Sequence, residues 1–478
     1  MSNLSDLLPA GGGQNNTEFT ASGAIASGKP VILNSNGTVT QIAESSSSDV
    51  IPAGSSASSS SGTYMDELNN LAWDSGDTNK FLYVYESTNN SRSGEARVGT
   101  VSNSGGSTSI SLGTTFTCLT GNTPSGARCY VLGLAACPNN AGKFLCVWAD
   151  ERDYPDYPFY AIVLNISGTN VTKGTEQLIG NDSAWAGGCG NLYFNQRQLV
   201  ADPNVANQFM FISTRRDSPK RAYVQVITVA SGSGTTISSA TPVEIGASSG
   251  SSTIDYTVIA ADPNTAGKFV AAYRDGNNSD YYYSQCITLS GTTATTGTSV
   301  VIASQSPQGP SVEFNSSVAG QFVAVHYGNL NGTYSTRTSQ GRVGQITGTS
   351  IAYADDAVGA GVATESSDQA NIVSVGSNKF LYSYTPTNGS EAQDLQQQVG
   401  TISSGTLTWG TRVDVGASEK YVPSAADPNN AGRVVTSRSV GTGGPPDYSY
   451  VFCSEVGVTT SNLTATNLLG VASAAISN

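Results

Sequence analysis

Short apolar runs separated by turn residues follow one another along most of this 478-residue chain. In one stretch, residues 258–261 form an apolar run, Asp262-Pro263-Asn264 has the composition of a turn, and residues 269–273 form a second apolar run. Runs of this length bounded by Pro, Asn and Gly are typical of β-strands joined by tight connections. The pattern predicts an all-β protein.

The same arrangement recurs seven times along the chain. In each copy a Gly or Asn is followed by a long polar residue and then, in six of the seven, by Phe. The copies are Asn79-Lys80-Phe81, Gly142-Lys143-Phe144, Asn207-Gln208-Phe209, Gly267-Lys268-Phe269, Gly320-Gln321-Phe322, Asn378-Lys379-Phe380 and Gly432-Arg433-Val434. The intervals between them are 63, 65, 60, 53, 58 and 54 residues. Such a period indicates one structural unit that is repeated.

Each copy continues in the same way after its second strand. A polar loop is followed by a third strand, by a Gly that lies 22 to 26 residues after the Phe in copies one to six, and by a Thr-rich fourth strand. These glycines are Gly105, Gly168, Gly232, Gly291, Gly348 and Gly405. Four antiparallel strands repeated seven times predict a seven-bladed β-propeller. The alternative is a pair of β-sandwiches, which gives no reason for seven copies of one turn.

Two local features of the repeat carry further predictions. The choice of Gly or Asn before the long polar residue predicts a positive φ at that position. In the second copy, Phe144, Cys146 and Trp148 point to one face of the strand, and Leu145 and Val147 point to the other. Apolar residues on both faces predict a sheet that packs between two neighbouring sheets.

Composition and charge exclude several functional classes. Charged residues make up 12% of the chain, against about a quarter in typical proteins, and the net charge is −13 with a pI near 4.5. An acidic protein repels phosphate backbones and anionic lipid surfaces. We therefore expect no nucleic-acid partner and no membrane insertion.

The cysteines and the apolar segments give expectations about the cellular compartment. Seven cysteines are present, and none forms a CxxC or a Cys/His cluster with metal-binding spacing. We interpret them as buried free thiols, the alternative being one disulfide such as Cys118 with Cys129. No apolar stretch reaches about 18 residues, and no signal peptide is recognisable at the N-terminus, so we expect synthesis in a cytoplasm.

The sequence predicts four regions. Residues 1–27 are small, polar and Gly-rich and are expected to form a flexible arm. Residues 28–62 contain a β-hairpin around Asn36-Gly37 and a Ser-rich tether, residues 63–457 form the propeller, and residues 458–478 form a C-terminal segment.

The seventh repeat lacks a well-marked fourth strand. An open blade edge would leave unpaired backbone groups, so another segment has to supply this strand. Our hypothesis is that residues 38–42 cross over and complete the last blade. The alternative is that residues 462–467 supply the strand locally.

Few residues suggest catalysis or metal binding. His326 is the single histidine, and a lone histidine within a strand is more often a packed residue than a ligand or a base. Walker A and HExxH motifs are absent, residues 275–280 lack EF-hand spacing, and Asp150 with Glu151 is a weak candidate for a glycosidase dyad. We predict a non-enzymatic protein with no catalytic residues, no metal and no cofactor; a glycan-cleaving enzyme is an alternative.

Arg-Asp pairs follow the second strand in three successive repeats. Equivalent loops of adjacent blades would bring these pairs and nearby tyrosines together on one face. The candidate ligand-binding residues are Arg152, Asp153, Tyr154, Tyr157, Arg216, Asp217, Arg274, Asp275 and Tyr281. Arginine forks and tyrosine rings suit the recognition of carboxylates or sugars. The other interpretation is that the pairs bridge blades or solvate the rim.

The two ends of the chain contain recognisable segments. They are residues 4–13, Leu-Ser-Asp-Leu-Leu-Pro-Ala-Gly-Gly-Gly, residues 21–39, and residues 463–472, Leu-Thr-Ala-Thr-Asn-Leu-Leu-Gly-Val-Ala. These segments resemble structural proteins of marine tailed bacteriophages. The Asp-Pro-Asn and Ala-Gly-Lys-Phe repeats are also similar to propeller repeats of such proteins. The resemblance implies a virion component, such as a tail fibre, a tail-tip protein, a head decoration or a subunit of an extended assembly.

The resemblance and the pattern together predict a structural virion protein that assembles through its ends. Its expected partners are other copies of itself and other virion proteins, and a receptor-binding module for host surface glycans is the alternative. The candidate assembly residues lie in the two terminal segments. They are Val31, Ile32, Leu33, Thr38, Val39, Ile42, Leu468 and Leu469.

Overall fold

A computed structural model gives the structure of much of the chain. It describes residues 20–25, 30–34, 36–41, 44–46, 50–58, 69–77, 79–87, 93–104, 107–119, 129–150, 158–180, 197–214, 221–246, 254–276, 280–304, 308–329, 337–354, 358–360, 370–386, 394–417, 422–440, 448–456, 459–461 and 468–471. The chain forms two compact units. The terminal unit contains residues 1–47 and 457–478, and the propeller unit contains residues 48–456.

The strands are numbered in chain order. The segment before the first blade contains β1 (Pro30–Leu33), β2 (Val39–Gln41), β3 (Glu44–Ser46) and β4 (Val50–Ser58). Blades 1 and 2 contain β5 (Asn69–Trp73), β6 (Lys80–Ser87), β7 (Ser93–Ser104), β8 (Ser107–Leu112), β9 (Phe116–Leu119), β10 (Cys129–Ala136), β11 (Lys143–Asp150), β12 (Phe159–Ser167), β13 (Asn170–Lys173) and β14 (Gln177–Gly180). Blades 3 and 4 contain β15 (Leu199–Ala201), β16 (Gln208–Thr214), β17 (Ala222–Val229), β18 (Ile237–Ser239), β19 (Val243–Ile245), β20 (Ile254–Ala261), β21 (Lys268–Asp275), β22 (Tyr281–Ser290), β23 (Thr293–Thr296) and β24 (Val300–Ala303).

The later blades follow the same plan. Blades 5 and 6 contain β25 (Gln308–Phe314), β26 (Gln321–Asn329), β27 (Arg337–Thr347), β28 (Ser350–Tyr353), β29 (Val358–Ala360), β30 (Ala370–Gly376), β31 (Lys379–Tyr384), β32 (Asp394–Ser403), β33 (Thr406–Trp409) and β34 (Val413–Ala417). Blade 7 and the C-terminal segment contain β35 (Ser424–Ala426), β36 (Arg433–Val440), β37 (Tyr448–Val456), β38 (Thr459–Ser461) and β39 (Leu468–Val471).

Every blade is an antiparallel sheet in which consecutive strands pair. In blades 1 to 6 the outer strand is broken into two pieces that both pair with the third strand, as β13 and β14 both pair with β12. The break recurs at one position, where Gly113, Gly174, Gly297 and Gly410 each donate a backbone hydrogen bond to the third strand. The protein is a seven-bladed β-propeller, as the repeat predicts.

The turn residue of the repeat has the predicted backbone conformation. The φ angle is positive at Gly142, Asn207, Gly267, Gly320, Asn378 and Gly432, with values from 58° to 87°. In each of these turns the carbonyl of the same residue accepts a hydrogen bond from the third strand of its blade. Gly and Asn tolerate this conformation, which explains why no other residue occupies the position.

The core lies between the blades. All eight residues of β11 are buried, including Phe144 and Trp148 on one face and Leu145 on the other, which confirms that the sheet packs on both sides. The long polar residue of the repeat links the blades as well. Lys143 Nζ donates to the carbonyls of Ala230 and Gly232 in the next blade, at 2.6 and 3.0 Å.

A carboxylate at the end of the first strand forms a second link between blades. Asp202 accepts a hydrogen bond from Asn204 N–H in its own turn, at 2.9 Å, and another from Gly267 N–H in the next blade, at 2.7 Å. The same link between blades joins Asp74 to Gly142 and Asp262 to Gly320. These carboxylates are buried, and the two N–H donors compensate for the lost hydration.

The segment that closes the ring differs from the hypothesis. The outer strand of blade 7 is β4, which pairs antiparallel with β37, so the hypothesis that residues 38–42 complete this blade is wrong. The alternative segment, residues 462–467, lies outside the described residues. Ser55, Ser56 and Ser58 belong to β4 rather than to a tether, and the propeller unit starts at residue 48 instead of 63. Backbone pairing explains the result, because an outer strand needs hydrogen-bonding groups more than apolar side chains.

The terminal unit contains the predicted hairpin. β1 pairs antiparallel with β2, and Gly37 between them has a φ of 81°. Residues 20–22 run beside β2, where Ser22 N–H donates to the Val39 carbonyl at 2.8 Å. Val39 packs with Ile25 and Val31 in a small apolar cluster.

The structure also bears on the predicted free thiols and on membrane-spanning segments. Cys118, Cys129, Cys137, Cys146, Cys286 and Cys453 are buried and free, so these six are the predicted thiols and the alternative disulfide is not formed. Cys189 lies outside the described residues. In the part of the chain that the structure describes, no helix has the length and apolarity that crossing a membrane requires.

Candidate functional site

The structure describes three of the nine residues predicted to bind a ligand. Arg274 and Asp275 end β21, and Tyr281 begins β22 opposite Asp275. The other six lie outside the described residues: Arg152, Asp153, Tyr154, Tyr157, Arg216 and Asp217. A shared ligand surface of three Arg-Asp pairs therefore stays a prediction.

Arg274 is held by a carboxylate of its own blade. Its Nε donates to Asp255 Oδ1 at 2.6 Å, its Nη2 bonds to the second oxygen, and its guanidinium lies 4.6 Å from the centre of the Tyr256 ring. Burial opposes the charged form, but the hydrogen bonds and negative charge of Asp255 outweigh it and raise the pKa of Arg274. The planar guanidinium of Arg274 therefore already binds a carboxylate within the protein.

The first strands of all seven blades line a central channel with a cavity of about 600 Å³. Most of its walls are small or apolar. Each blade contributes at least one such residue, among them Leu71, Ala135, Ala201, Ala261, Phe314, Val375 and Ala426. Two polar residues of the wall are bonded to protein groups: Asn70 donates to the Val131 carbonyl at 3.1 Å, and Ser424 donates to Ser383 Oγ at 3.2 Å.

An ion pair in the channel wall joins blades 3 and 5. Arg197 precedes the first strand of blade 3, and its guanidinium bonds to the carboxylate of Glu313 in blade 5. The carbonyl of Arg197 also accepts a hydrogen bond from Ile259 N–H in blade 4, at 3.1 Å. The pair thus joins three blades, and both side chains are less than one-fifth exposed.

Sequence reasoning missed this ion pair, although a signal was present. Glu313 occupies the position next to the end of the first strand, which holds Ala72, Ala135, Val200, Ala260, Val373 and Ala425 in the other blades. A carboxylate at a position otherwise kept small or apolar needs a partner. The repeat alignment alone therefore marks Glu313 as unusual, but it does not identify Arg197.

His326 is a buried residue of the interface between blades 4 and 5. It is 1% exposed, and its ring centre lies 5.4 Å from that of Tyr282. Burial, together with the positive charge of Arg342, lowers the pKa of His326 to about 4. The imidazole is therefore neutral at physiological pH and inaccessible to a substrate, as expected of a packed residue.

Within the described ranges, no group of three or more His, Cys, Asp or Glu residues has an arrangement that would hold a metal ion. Burial raises the pKa of the thiols of Cys118, Cys137, Cys146, Cys286 and Cys453, to about 12 at Cys118, which keeps them protonated.

The predicted assembly residues lie where the two ends of the chain meet. Val31, Ile32 and Val39 are buried in the terminal unit, and Leu33 is 39% exposed. Thr38 bonds to Asn36 in the hairpin turn, whereas Ile42 lies outside the described residues. Leu468 and Leu469 belong to β39, where Leu468 is opposite Ile32 of β1.

N-terminal strands pair with C-terminal strands in both units. In the terminal unit, β1 pairs antiparallel with β39 and β3 pairs antiparallel with β38. In the propeller unit, β4 pairs antiparallel with β37. Each pairing joins residues about 400 apart in the sequence, so backbone hydrogen bonds hold the beginning of the chain to its end at three places.

Comparisons with known proteins agree with the fold. No protein-family model matches the chain, and no curated protein does either. Among solved structures, a lectin from Burkholderia pseudomallei is similar with a TM-score of 0.54 and 11% identity, over 85% of this chain and 99% of the lectin.

Two glycosidase structures are more distant. A sialidase from Streptococcus pneumoniae has a TM-score of 0.43 and 10% identity over 86% of this chain and 71% of its own. An alpha-L-arabinanase from Penicillium chrysogenum has a TM-score of 0.39 and 14% identity over 69% of this chain and 94% of its own. At such identities similarity concerns the fold alone, and only the lectin is close enough to support the propeller architecture.

Proposed function

We propose that this chain is a non-enzymatic structural protein of a phage virion that assembles through its terminal segments and displays a β-propeller. The observation that carries the proposal is the terminal unit. Both ends of the chain contribute to it, through β1 to β3 and through β38 and β39, and it is separate from the propeller unit. A protein that has a dedicated unit built from its two ends has a natural place of attachment to neighbouring subunits.

The described part of the terminal unit has a small apolar core. Its apolar cluster consists of Ile25, Val31 and Val39 with Ala21 beside them, and its largest described sheet has three strands, in the order β2-β1-β39. Three strands with a hydrophobic face are about the minimum for independent stability in water, so further packing would stabilise a sheet of this size. The partly exposed Leu33 provides apolar surface for such a contact.

The propeller has the properties of a rigid body for display. Links from Asp74, Asp202 and Asp262 to the next blade add to the packing between blades, and the Arg197–Glu313 pair joins blades 3 and 5. Among the candidate arginines, the one that the structure describes, Arg274, is engaged with Asp255. These features favour a structural role over a glycan-cleaving one.

The resemblance of the ends to phage virion proteins supports the same assignment. Residues 21–39 and 463–472 carry the resemblance, and parts of both segments pair in the terminal unit through β1 and β39. The protein's partners are then other copies of itself and other virion proteins.

The test compares the full chain with a chain of residues 48–456, which keeps β4 and hence a closed ring. Masses are measured by light scattering and shapes by negative-stain microscopy, with thermal unfolding to verify that both propellers fold. We expect ordered assemblies of the full chain and monomers of the shortened chain. Two equally monodisperse monomers would contradict the proposal and favour a receptor-binding propeller.

A further inference from the structure

We infer that, in the assembled protein, the seventh blade of each copy is completed by the β4 strand of a second copy of this chain. The inference deepens the proposed function, on which it rests, by identifying the partner and the segment that is exchanged. It starts from the fact that the ring is closed without a covalent link, because β4 precedes blade 1 in the sequence but is the outer strand of blade 7.

The contacts between β4 and β37 can form equally well within one copy and between two copies. The pairing runs from Val50 opposite Val456 to Ser58 opposite Tyr450. The sequence of β4, Val-Ile-Pro-Ala-Gly-Ser-Ser-Ala-Ser, has apolar residues of more than alanine size only in its first three positions. Backbone hydrogen bonds therefore dominate, and an identical strand from a neighbour makes the same bonds.

N-terminal strands outside the blade also pair with C-terminal strands, so they can be exchanged together with β4. Following the N-terminal segment backwards from β4, β3 pairs with β38 and β1 pairs with β39. An incoming copy thus offers three strands in the order that the C-terminal segment of the acceptor requires. Exchange replaces every pair by an identical pair, so it loses no hydrogen bond.

The connection to blade 1 is long enough to allow the exchange. Ten residues, 59–68, join β4 to β5. A chain of that length can extend over about 33 Å, so β4 can reach a neighbour whose seventh blade lies within that distance. When copies are held close together, the effective concentration of a neighbour's strand rivals that of the chain's own strand.

The exchange explains how one chain can build an extended structure. Each copy donates its N-terminal strands to one neighbour and accepts those of another, which is a head-to-tail contact. Such contacts produce rings or open filaments, depending on the angle between successive copies.

The native Cys453 provides a direct test. It lies opposite Ala53 in the antiparallel pair, and directly opposite residues have Cα atoms about 4.5 to 5.5 Å apart, within the range of a disulfide. Donor chains carry Ala53→Cys together with Cys453→Ser, and acceptor chains are the natural full-length protein. A donor cannot form this disulfide with itself, so it forms only when a donor strand lies on an acceptor blade.

The two full-length chains are mixed in equal amounts before assembly and oxidised with diamide as assembly proceeds. Oxidant is needed at this stage because burial raises the pKa of Cys453 to about 12 once the blade has closed. If strands exchange at random, mass action predicts that about half of the donor chains become linked to an acceptor, measured by non-reducing electrophoresis and mass spectrometry of the linked peptides. Acceptors with Cys453→Ser are the matched control and should give no link.

The remaining outcomes separate the inference from the proposed function. The single variant Ala53→Cys retains Cys453 and reports closure within one chain. Assemblies that contain this internal disulfide, together with no linked pairs in the mixture, would overturn the exchange and leave the proposed function standing. Monomers with the internal disulfide and no assemblies would overturn both.

Discussion

The buried carboxylate of Asp202 accepts a hydrogen bond from the backbone N–H of Gly267 in the next blade, with 2.7 Å between Oδ2 and N. The second oxygen of the same carboxylate accepts from Asn204 in its own turn. One side chain thus fixes both the turn of its blade and the position of the following blade. This explains why the repeat contains Asp-Pro-Asn at the end of the first strand and Gly at the start of the second.

The partner changes when the turn residue is Asn instead of Gly. Asn207 and Asn378 each present a side-chain oxygen to the preceding blade, where an amide replaces the carboxylate as the linking group. Asn140 donates to Asn207 at 3.1 Å, and Asn315 donates to Asn378 at 2.8 Å. In the five contacts from blade 1 to blade 6, the residue types on the two sides are therefore matched as acceptor with donor.

The Asp202 link is expected to contribute to stability. Asp202→Asn replaces one of two oxygen acceptors by an N–H₂ donor, so either Gly267 or Asn204 loses its buried partner. An unsatisfied buried donor costs about 1 to 3 kcal/mol, and thermal or urea unfolding should show a loss of this size. Asp77→Asn is the control, because this side chain is 36% exposed and bonds only within its own turn. Equal losses in the two variants would contradict the link.

Replacement of glycine by alanine is expected to cost more at Gly267 in the turn than at Gly291 in the outer hairpin. Gly267 and Gly291 both have a left-handed φ, of 68° and 61°. A Cβ at Gly267 would lie 2.4 Å from the Leu289 carbonyl oxygen, whereas at Gly291 it would meet nothing within 4 Å. Both Ala variants carry the left-handed strain of about 1 to 2 kcal/mol, and Gly267→Ala adds the clash to it. Melting temperatures should therefore fall much further for Gly267→Ala, and similar values would refute the close contact.

Arg274 and Asp255 are expected to act as a coupled pair. The variants Arg274→Gln and Asp255→Asn each leave a partly buried charge without its partner, and the double variant removes both charges. The double variant should therefore lose less stability than the sum of the two single variants, as measured in a double-mutant cycle. Additive losses would mean that the ion pair contributes nothing, and the arginine would be available for a ligand.

Much of the fold could be predicted from the sequence because the recurring residue types reflect the backbone conformation that each turn requires. The recurring Gly or Asn has the predicted positive φ at all six positions where the structure gives it, and Asn36-Gly37 forms its hairpin. These are local constraints, and a residue type reports them directly.

The ring closure was missed because its signal is weak and resembles a linker. The break in the outer strand is marked by Gly-Thr at Gly113, Gly174, Gly297 and Gly410, and β4 has Gly54-Ser55 between the residues that pair with Val451 and Cys453. The serines around it have the composition of a flexible tether, so composition favoured the wrong interpretation. The Asp202 and Arg197 links were missed because they join residues that are distant in the sequence and meet only in the ring.

His326 makes stability depend on pH in a defined window. Its pKa is lowered from 6.5 to about 4 by burial and by Arg342, so protons bind the unfolded chain more readily than the folded one. The free energy of unfolding should therefore decrease as the pH falls from about 6.5 to about 4, by up to about 3 kcal/mol from this group.

The variant His326→Tyr isolates this contribution. Tyrosine occupies the equivalent position as Tyr85, Tyr273 and Tyr384 in three other blades, and it does not titrate in this range. The stability difference between natural protein and variant should change with pH between 6.5 and 4 and be constant above pH 7, as measured by urea unfolding. His326→Gln serves as a second neutral replacement. A difference that is independent of pH would contradict the buried neutral imidazole.

Assembly through the terminal unit is tested most directly by the sedimentation of two full-length variants that differ only in where a carboxylate is introduced. Val31→Asp places a charge in the small cluster of the terminal unit, where Val31 is 8% exposed, and Val318→Asp places one on the propeller surface, where Val318 is 38% exposed. Both should retain the melting transition of the propeller. We expect Val31→Asp to sediment as a monomer while Val318→Asp assembles like the natural protein. Assemblies of the same size from both variants would contradict the role of the terminal unit.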